Sequence, residues 1–471
     1  MQDYIVVGGG IGGVVAYSIL KKLGKKVLLI EKLDYLGGCA GTFKKDGLFY
    51  NVGASTLVGL DDNLPLDLLF KILQLDKNTA PVLPIDPAIV VYIQDKVIHR
   101  YKDFEKAFEE IDKNFPHKNN KDLWHKIKKV STRNWENLYR LLPFNPKSYP
   151  ELLKKVITNL DYFLFSLKDN FLTAEKVIRQ YIPNPDKDYV AFLNSQILMT
   201  TQCYWNEVSF SFASMGLTYP NLSNYYVKGG MSNFLESLVK DDKNVLKKVK
   251  VKSISKVGNV FEVKTNKAQF YAKKVILNRT IWDYCELLDD SLKNTFCEFN
   301  KKTYNKLWSS ATLYFAVKDD NNLLSKHHYQ ILHEKNPYTD SYSFFVSVAD
   351  PCDAVDGYKS ITISTHCKID LWENLSKQHY LEQKEKLKEF ILENLYKRIP
   401  EFKILPKTEV MVGTPLTFKR YTERYRGTVG GIPLRREYTM LNYPMGITPI
   451  KGLYLVGDSV FPGQGYPGVS V

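Results

Sequence analysis

The chain opens on a pattern that few folds accommodate. Tyr4-Ile-Val-Val7 is a short apolar run suited to a buried parallel strand, and it leads directly into Gly8-Gly9-Gly10-Ile11-Gly12-Gly13. A helical pattern follows, with Ile11, Val14, Val15, Ile19 and Leu23 on one side. A second apolar run, Val27-Leu-Leu-Ile30, ends on Glu31. Strand, GxGxxG, helix, strand and acidic residue thus fall within about 30 residues, the size of one βαβ unit. Gly8 permits a tight turn, Gly10 lets the backbone approach a diphosphate, and Gly13 lets the helix pack on the sheet. Ile11 and Gly12 begin the helix, whose N-terminus offers free N–H groups and positive dipole charge to phosphates. Glu31 is placed to accept from ribose hydroxyls, and its charge would repel a 2′-phosphate. Lys32 follows it.

The next segments favour a flavin dinucleotide over a nicotinamide one. Gly37-Gly38 and Thr42 lie at a set distance beyond Glu31, and Gly53 follows in Asn51-Val-Gly-Ala-Ser. Near the other end, Gly452-Leu-Tyr-Leu-Val-Gly457-Asp458 is a buried strand ending in Gly-Asp. It precedes a backbone-exposing turn containing Gly463, Gly465 and Gly468. A carboxylate at that strand end can accept from ribityl hydroxyls, which NAD lacks. Both ends of the chain are therefore expected to build one FAD site. The expected fold class is α/β: a Rossmann-type FAD-binding domain with a doubly wound parallel sheet, joined to a mixed α+β substrate domain.

These segments resemble the phytoene desaturase and carotenoid isomerase family of FAD-dependent amine-oxidase-like proteins. The likeness is carried by 3–14, 31–39, 46–56, 226–239, 413–422 and 452–466, while 61–215 and 280–405 match loosely. The resemblance implies that the Val251 backbone holds the adenine. It also implies a long apolar polyene substrate and flavin-mediated electron or hydride transfer, with isomerisation or desaturation as the outcome. An external electron acceptor such as a quinone would serve the desaturase version. Oxidation or saturation of another lipid, and a non-catalytic flavin-binding protein, are the alternatives. Members continue beyond the last glycine turn into a helix facing the flavin ring, so a shortened helix is expected at Val471. Asn51 stands where an acidic residue is common in the family.

The expected FAD domain is discontinuous, at 1–60, 215–280 and 415–471, and the substrate domain comprises 61–214 and 281–414. The first insert reads as mostly helical. In the second, the runs from Leu307, Tyr342 and Ser360 alternate like strands, and Leu381 to Ile399 reads as an amphipathic helix stopped by Pro400. No second GxGxxG occurs, so no separate NAD(P)H domain is expected.

Composition narrows the partners. The 65 Lys+Arg against 51 Asp+Glu give +14, a field that favours anionic surfaces or ligands. No nucleic-acid-binding motif appears, so nucleic acid is not expected. Only 11 of the 65 are arginine, yet Arg420, Arg424, Arg426, Arg435 and Arg436 fall within 17 residues before the final strand. Arginine suits phosphate and flavin carbonyl contacts, although a solvated loop with surface ion pairs is an equal reading. A stretch around 147–172 mixes lysines with leucines and phenylalanines, which suits peripheral contact with a membrane.

The six cysteines form no CxxC, so neither a zinc site nor a redox dithiol is expected, and a reduced compartment fits. The start lacks a signal-peptide pattern and no apolar run reaches 18 residues. The expected location is cytoplasmic, with association at the cytoplasmic face of a membrane. His327-His328 is the only histidine pair, and adjacent residues do not share a face, so no metal site is expected. No catalytic side chain stands out. Non-covalent FAD is expected, because no histidine or cysteine lies beside the final motif to tether the ring.

Overall fold

Alternation between buried apolar strands and glycine turns fixes the first layer. The computed structural model describes residues 1–137, 150, 154, 157–158, 160, 169–293, 295–438 and 443–470. Most of the 147–172 stretch expected at a membrane lies outside the described residues. β1 (Gln2–Val7) runs into α1 (Ile11–Lys22), which returns to β2 (Val27–Ile30). All four residues of β2 are buried, as a central parallel strand requires. The helix α2 (Met231–Leu238) packs Phe234 and Leu235 into the same core as Val6, Val14 and Leu29. β3 (Val245–Leu246), β4 (Val251–Val257), β5 (Val260–Thr265) and β6 (Gln269–Leu277) follow.

β3, β2, β1 and β6 lie side by side in parallel register, with Ile5 opposite both Leu28 and Val275. The other edge of β6 is shared. Residues 269–272 pair antiparallel with β5, which in turn pairs with β4.

A second, wholly antiparallel sheet comes from β7 (Trp308–Lys318), β8 (His328–Leu332), β9 (Ser343–Val348), β10 (Tyr358–Lys368) and β11 (Met411–Gly413). Its order is β11-β7-β10-β9-β8. The three expected alternating runs are β7, β9 and β10. The expected helix is found as Lys377–Arg398, ending at Ile399 before Pro400, with Leu387, Ile391 and Leu395 buried. One face of this sheet rests on the hairpin Thr42–Lys45/Leu48–Asn51 and the residues after it. Tyr314 Oη donates to Val52 O (2.5 Å), Ser360 Oγ to Phe49 O (2.6 Å), and Ser55 and Ser347 share a hydroxyl hydrogen bond. α3 (Pro415–Thr422) then leads the chain back to β12 (Leu453–Leu455). β12 pairs parallel with residues 275–277 of β6, completing the first sheet.

The described chain divides into two units. The first holds 1–85, 224–432 and 444–471, and the second holds 86–223 and 433–443. The second is built on the helices Asn120–Asn137, Lys187–Thr201 and Phe210–Thr218 with the hairpin Ile89–Ile93/Lys96–Arg100. At its centre the fully buried Arg100 lies over Trp124 and Phe192 and donates to Gln196 Oε1 (2.7 Å). No helix among the described residues is long and apolar enough to cross a membrane.

The cysteine expectation needs correction. Cys285 and Cys297 form a disulfide, while Cys39, Cys203, Cys352 and Cys367 are free. The turn Tyr284–Leu287 and the helix Phe296–Thr303 bring the two sulfurs together, a tertiary proximity that no sequence spacing announces.

Candidate functional site

At the carboxyl ends of β1, β2 and β6 the first sheet leaves a cleft of about 970 Å³, counting its open mouth. This is where ligands bind in open parallel sheets. The βα turn after β1 forms one wall. Gly8 takes φ 101°, and a Cβ there would approach Asn278 O at 3.0 Å. A Cβ on Gly10 would strike the Asn278 amide at 2.3 Å, and one on Gly13 would strike Gly8 O at 2.0 Å. Close approach of backbone therefore requires glycine at 13, while at 10 a side chain would displace the Asn278 amide. The first N–H groups of α1 have no intrahelical acceptor, so they are available to an anion.

Glu31 is buried beside this turn. Its Oε2 accepts from Gly9 N–H (2.6 Å) and its Oε1 from Leu33 N–H (2.7 Å). Burial raises its pKa, opposed by those two N–H groups. The carboxylate therefore holds the glycine turn as well as lining the cleft. Lys32 also lines it, and Glu423 accepts from Lys250 Nζ (2.5 Å) and lies 3.4 Å from Lys32 Nζ. Burial alone would raise the Glu423 pKa, but these lysines hold it below the ordinary carboxylate value.

Of the residues read from the sequence, Gly8, Gly10, Ile11, Glu31, Lys32, Gly37, Gly38, Val251, Gly457 and Asp458 line this one cleft. Gly12 and Gly13 stand behind it. A Cβ on Gly12 would meet Gly457 N at 2.9 Å, so glycine lets α1 close on the final strand. Thr42, Gly53, Gly465 and Gly468 do not line it. Thr42 N–H donates to Ser232 Oγ (2.7 Å) and its Oγ1 donates to Asn51 Oδ1 (2.8 Å), so Thr42 ties the hairpin to α2. Asn51 Oδ1 also accepts from Met231 N–H (2.9 Å), an acceptor role that a carboxylate would fill equally. Gly53 lies against Cys39 O, and Gly465 and Gly468 belong to the short helix Gly465–Val469.

Asn278, Arg279, Lys250 and Glu423 also line the cleft and escaped the sequence reading, whereas Arg424 was singled out there only as one of the arginine cluster. In the amide orientation that satisfies both ends, Asn278 accepts from Gly10 N–H (2.9 Å) and donates to Val456 O (3.2 Å). It fastens the first glycine turn to the final strand. The arginine cluster divides. Arg424 lines the cleft, whereas Arg426 pairs with Glu373 and Asp370, and Arg435 with Glu207 and Glu437. His328 is buried and His327 pairs with Asp350 (3.0 Å).

The site fits a dinucleotide. Glycines at 10 and 12 stand where side chains would crowd the turn against Asn278 and Gly457. The donors are a helix N-terminus and four cations (Lys32, Lys250, Arg279, Arg424). Glu31 and Asp458 offer acceptors to hydroxyls at separate points of the same cleft.

Residues 6–73 match the family model described as NAD(P)-binding Rossmann-like domain. The chain is similar in fold to an oxidoreductase from Methanosarcina mazei, with TM-score 0.61 at 17% identity over 99% of this chain and 97% of that one. It is 27% identical to a 1-hydroxycarotenoid 3,4-desaturase of Flavobacterium sp. over 99% of this chain and 96% of that protein. It is 30% identical to a chloroplastic prolycopene isomerase of Daucus carota over 98% of this chain and 77% of that protein. With a dinucleotide cleft of this construction and likeness along nearly its whole length, the chain belongs to the prolycopene isomerase family.

Proposed function

We propose that this protein binds FAD non-covalently and isomerises cis double bonds of a long, apolar, carotenoid-like polyene. The observation that carries this reading is the dinucleotide cleft in a chain alike, over 98% of its length, to a prolycopene isomerase. When bound, FAD supplies reversible electron transfer, so that electron density lent to a conjugated chain lowers the bond order of a cis bond and eases its rotation. The α1 N-terminus receives the diphosphate, Glu31 and the β4 backbone at Val251 receive the adenosine end, and Asp458 receives ribityl hydroxyls. Gly12, Gly13, Thr42, Gly53, Gly465 and Gly468 shape the turns around this binding frame. We assign residues 61–214 and 281–414 to the substrate side; of these, 281–414 fall in the same compact unit as the Rossmann sheet and 86–214 in the other.

A desaturase reading is favoured by the likeness to the Flavobacterium enzyme. In that reading bound FAD would supply a two-electron oxidation: an allylic carbon would lose hydride, the neighbouring carbon would lose a proton to solvent, and an external quinone would take up the two electrons with two protons as quinol. Because the substrate dissolves in bilayers, we include peripheral membrane contact, supported by the +14 charge and by exposed Ile157, Leu160 and Phe171.

The test is chromatographic. Purified protein is loaded with FAD, reduced under anaerobic conditions, and mixed with liposomes carrying a poly-cis carotenoid. The isomerase reading expects a geometric isomer of unchanged mass. A product two hydrogens lighter, appearing only with oxidised flavin and quinone, establishes the desaturase instead. No change of the polyene in either condition overturns both.

A further inference from the structure

Asp458 sets a negative charge beside the α1 N-terminus, because it follows Gly457, whose N a Cβ on Gly12 would meet at 2.9 Å. An anion settling on that helix end would meet repulsion from the carboxylate unless a cation offset it. Arg424 is placed to do so. Its Nη2 donates to both Asp458 oxygens (2.8 and 2.9 Å), and its Nε donates to Thr428 O (2.7 Å). Nη1 makes no hydrogen bond to any described residue, and the side chain lines the cleft.

The guanidinium is held in place. Burial alone would lower its pKa, but Asp458 more than reverses this, so the charge is fixed. The preceding Glu423 sits at φ 54°, its carbonyl accepting from Arg279 Nη2 (3.1 Å) and its carboxylate from Lys250. Near the guanidinium, the Cys39 thiol is pushed up in pKa by burial and so carries no competing charge.

We propose that Arg424 is a diphosphate ligand of the cofactor site, with Nη1 donating to a phosphate oxygen while Nη2 orients Asp458 toward the ribityl chain. This rests on the FAD reading above. A planar fork suits a residue that must serve a carboxylate and a phosphate at once, where a lysine could serve one.

The experiment titrates apoprotein with FAD and, separately, with ADP, which keeps the diphosphate but has neither ribityl chain nor flavin ring. Arg424→Gln is expected to weaken ADP by about tenfold or more, and FAD by at least as much, because Asp458 also loses its orientation. Asp458→Asn is expected to weaken FAD and spare ADP. If Arg424→Gln weakens FAD but leaves ADP unchanged, the arginine acts only through Asp458 and the proposal fails. Thermal melts of the apoproteins check folding. Should Arg424→Gln not fold, Arg424→Lys carries the same comparison. Its charge without the fork predicts several-fold weaker ADP binding, and unchanged ADP binding overturns the proposal. A wild-type protein that takes up ADP but no FAD overturns the cofactor reading, a result visible before any variant is made.

Discussion

The Glu31 carboxylate is hydrogen-bonded to the backbone N–H of Gly9 at 2.6 Å, joining the end of β2 to the turn that follows β1. Its second oxygen is held by Leu33 N–H at 2.7 Å. The residue proposed to receive the ribose is thus also the brace of the glycine turn. Glu31→Ala removes two charge-assisted hydrogen bonds, each about 1.5–3 kcal/mol before water compensates. FAD affinity is expected to fall at least about tenfold, by the same energies. Glu31→Gln keeps one acceptor oxygen and should lose less. Flavin fluorescence titration checks this; unchanged affinity in Glu31→Ala would show that the carboxylate has no part in binding.

Gly13 tests the packing of α1 on the sheet. A methyl group there would stand 2.0 Å from Gly8 O and 3.3 Å from Asn278 Cβ. Backbone on one side and a strand end on the other leave it no room. Gly13→Ala is expected to cost about 1–3 kcal/mol, the range for overpacked sites. The apoprotein should melt at lower temperature and bind FAD more weakly, because the α1 N-terminus is pushed from its place. A melting curve that superimposes on the wild type would contradict the close approach.

What the sequence disclosed about the site was local. Gly8 to Glu31 could be read because one βαβ unit contains every part of that wall. Gly457-Asp458 was readable because an apolar strand ends on it. Asn278 ends the apolar run Val275-Ile-Leu277 in the same way, and strand-end position was the signal that could have found it. Lys250 and Glu423 carried no such signal: their place depends on a pairing between segments more than 170 residues apart. Thr42 stands away from the cleft lining for a related reason. A hydroxyl near a glycine pair looks like a ligand, but α2 turns Ser232 onto it and occupies both its N–H and its oxygen.

The disulfide makes a direct prediction about thiol content. Cys285 and Cys297 are 12 residues apart and bridged, and four cysteines are free. Protein unfolded in denaturant without reductant should therefore release four thiols to a colorimetric reagent, and six after reduction. Closing so short a loop is worth about 3 kcal/mol in the chain-entropy view. The double substitution Cys285→Ala, Cys297→Ala should lower the melting temperature. Six thiols before reduction would refute the pairing.

His328 gives the acid side of the stability profile. It lies on β8 directly opposite Ser347, and Ser347 is opposite Thr362 on β10. The ring is 2% exposed, and neither nitrogen has a hydrogen-bond partner. Burial, with a smaller push from His327, lowers its pKa from 6.5 to about 3. The unfolded chain therefore takes a proton on this ring below 6.5, while the folded chain refuses it until about 3. The stability it contributes is complete above 6.5 and is lost as pH falls toward 3. One unit below the unfolded pKa the loss is about 1.4 kcal/mol. His366, lowered by burial to about 4, adds to the same slope. His328→Phe offers a non-titrating ring beside Phe345, whose centroid lies 5.1 Å away. The difference in denaturant midpoint between pH 7.5 and pH 5.5 should be smaller in His328→Phe than in the wild type, with part of the slope left to His366. Parallel losses in the two proteins would show that His328 is already protonated in the folded state, and that the row of β8, β9 and β10 holds a charge rather than a neutral imidazole.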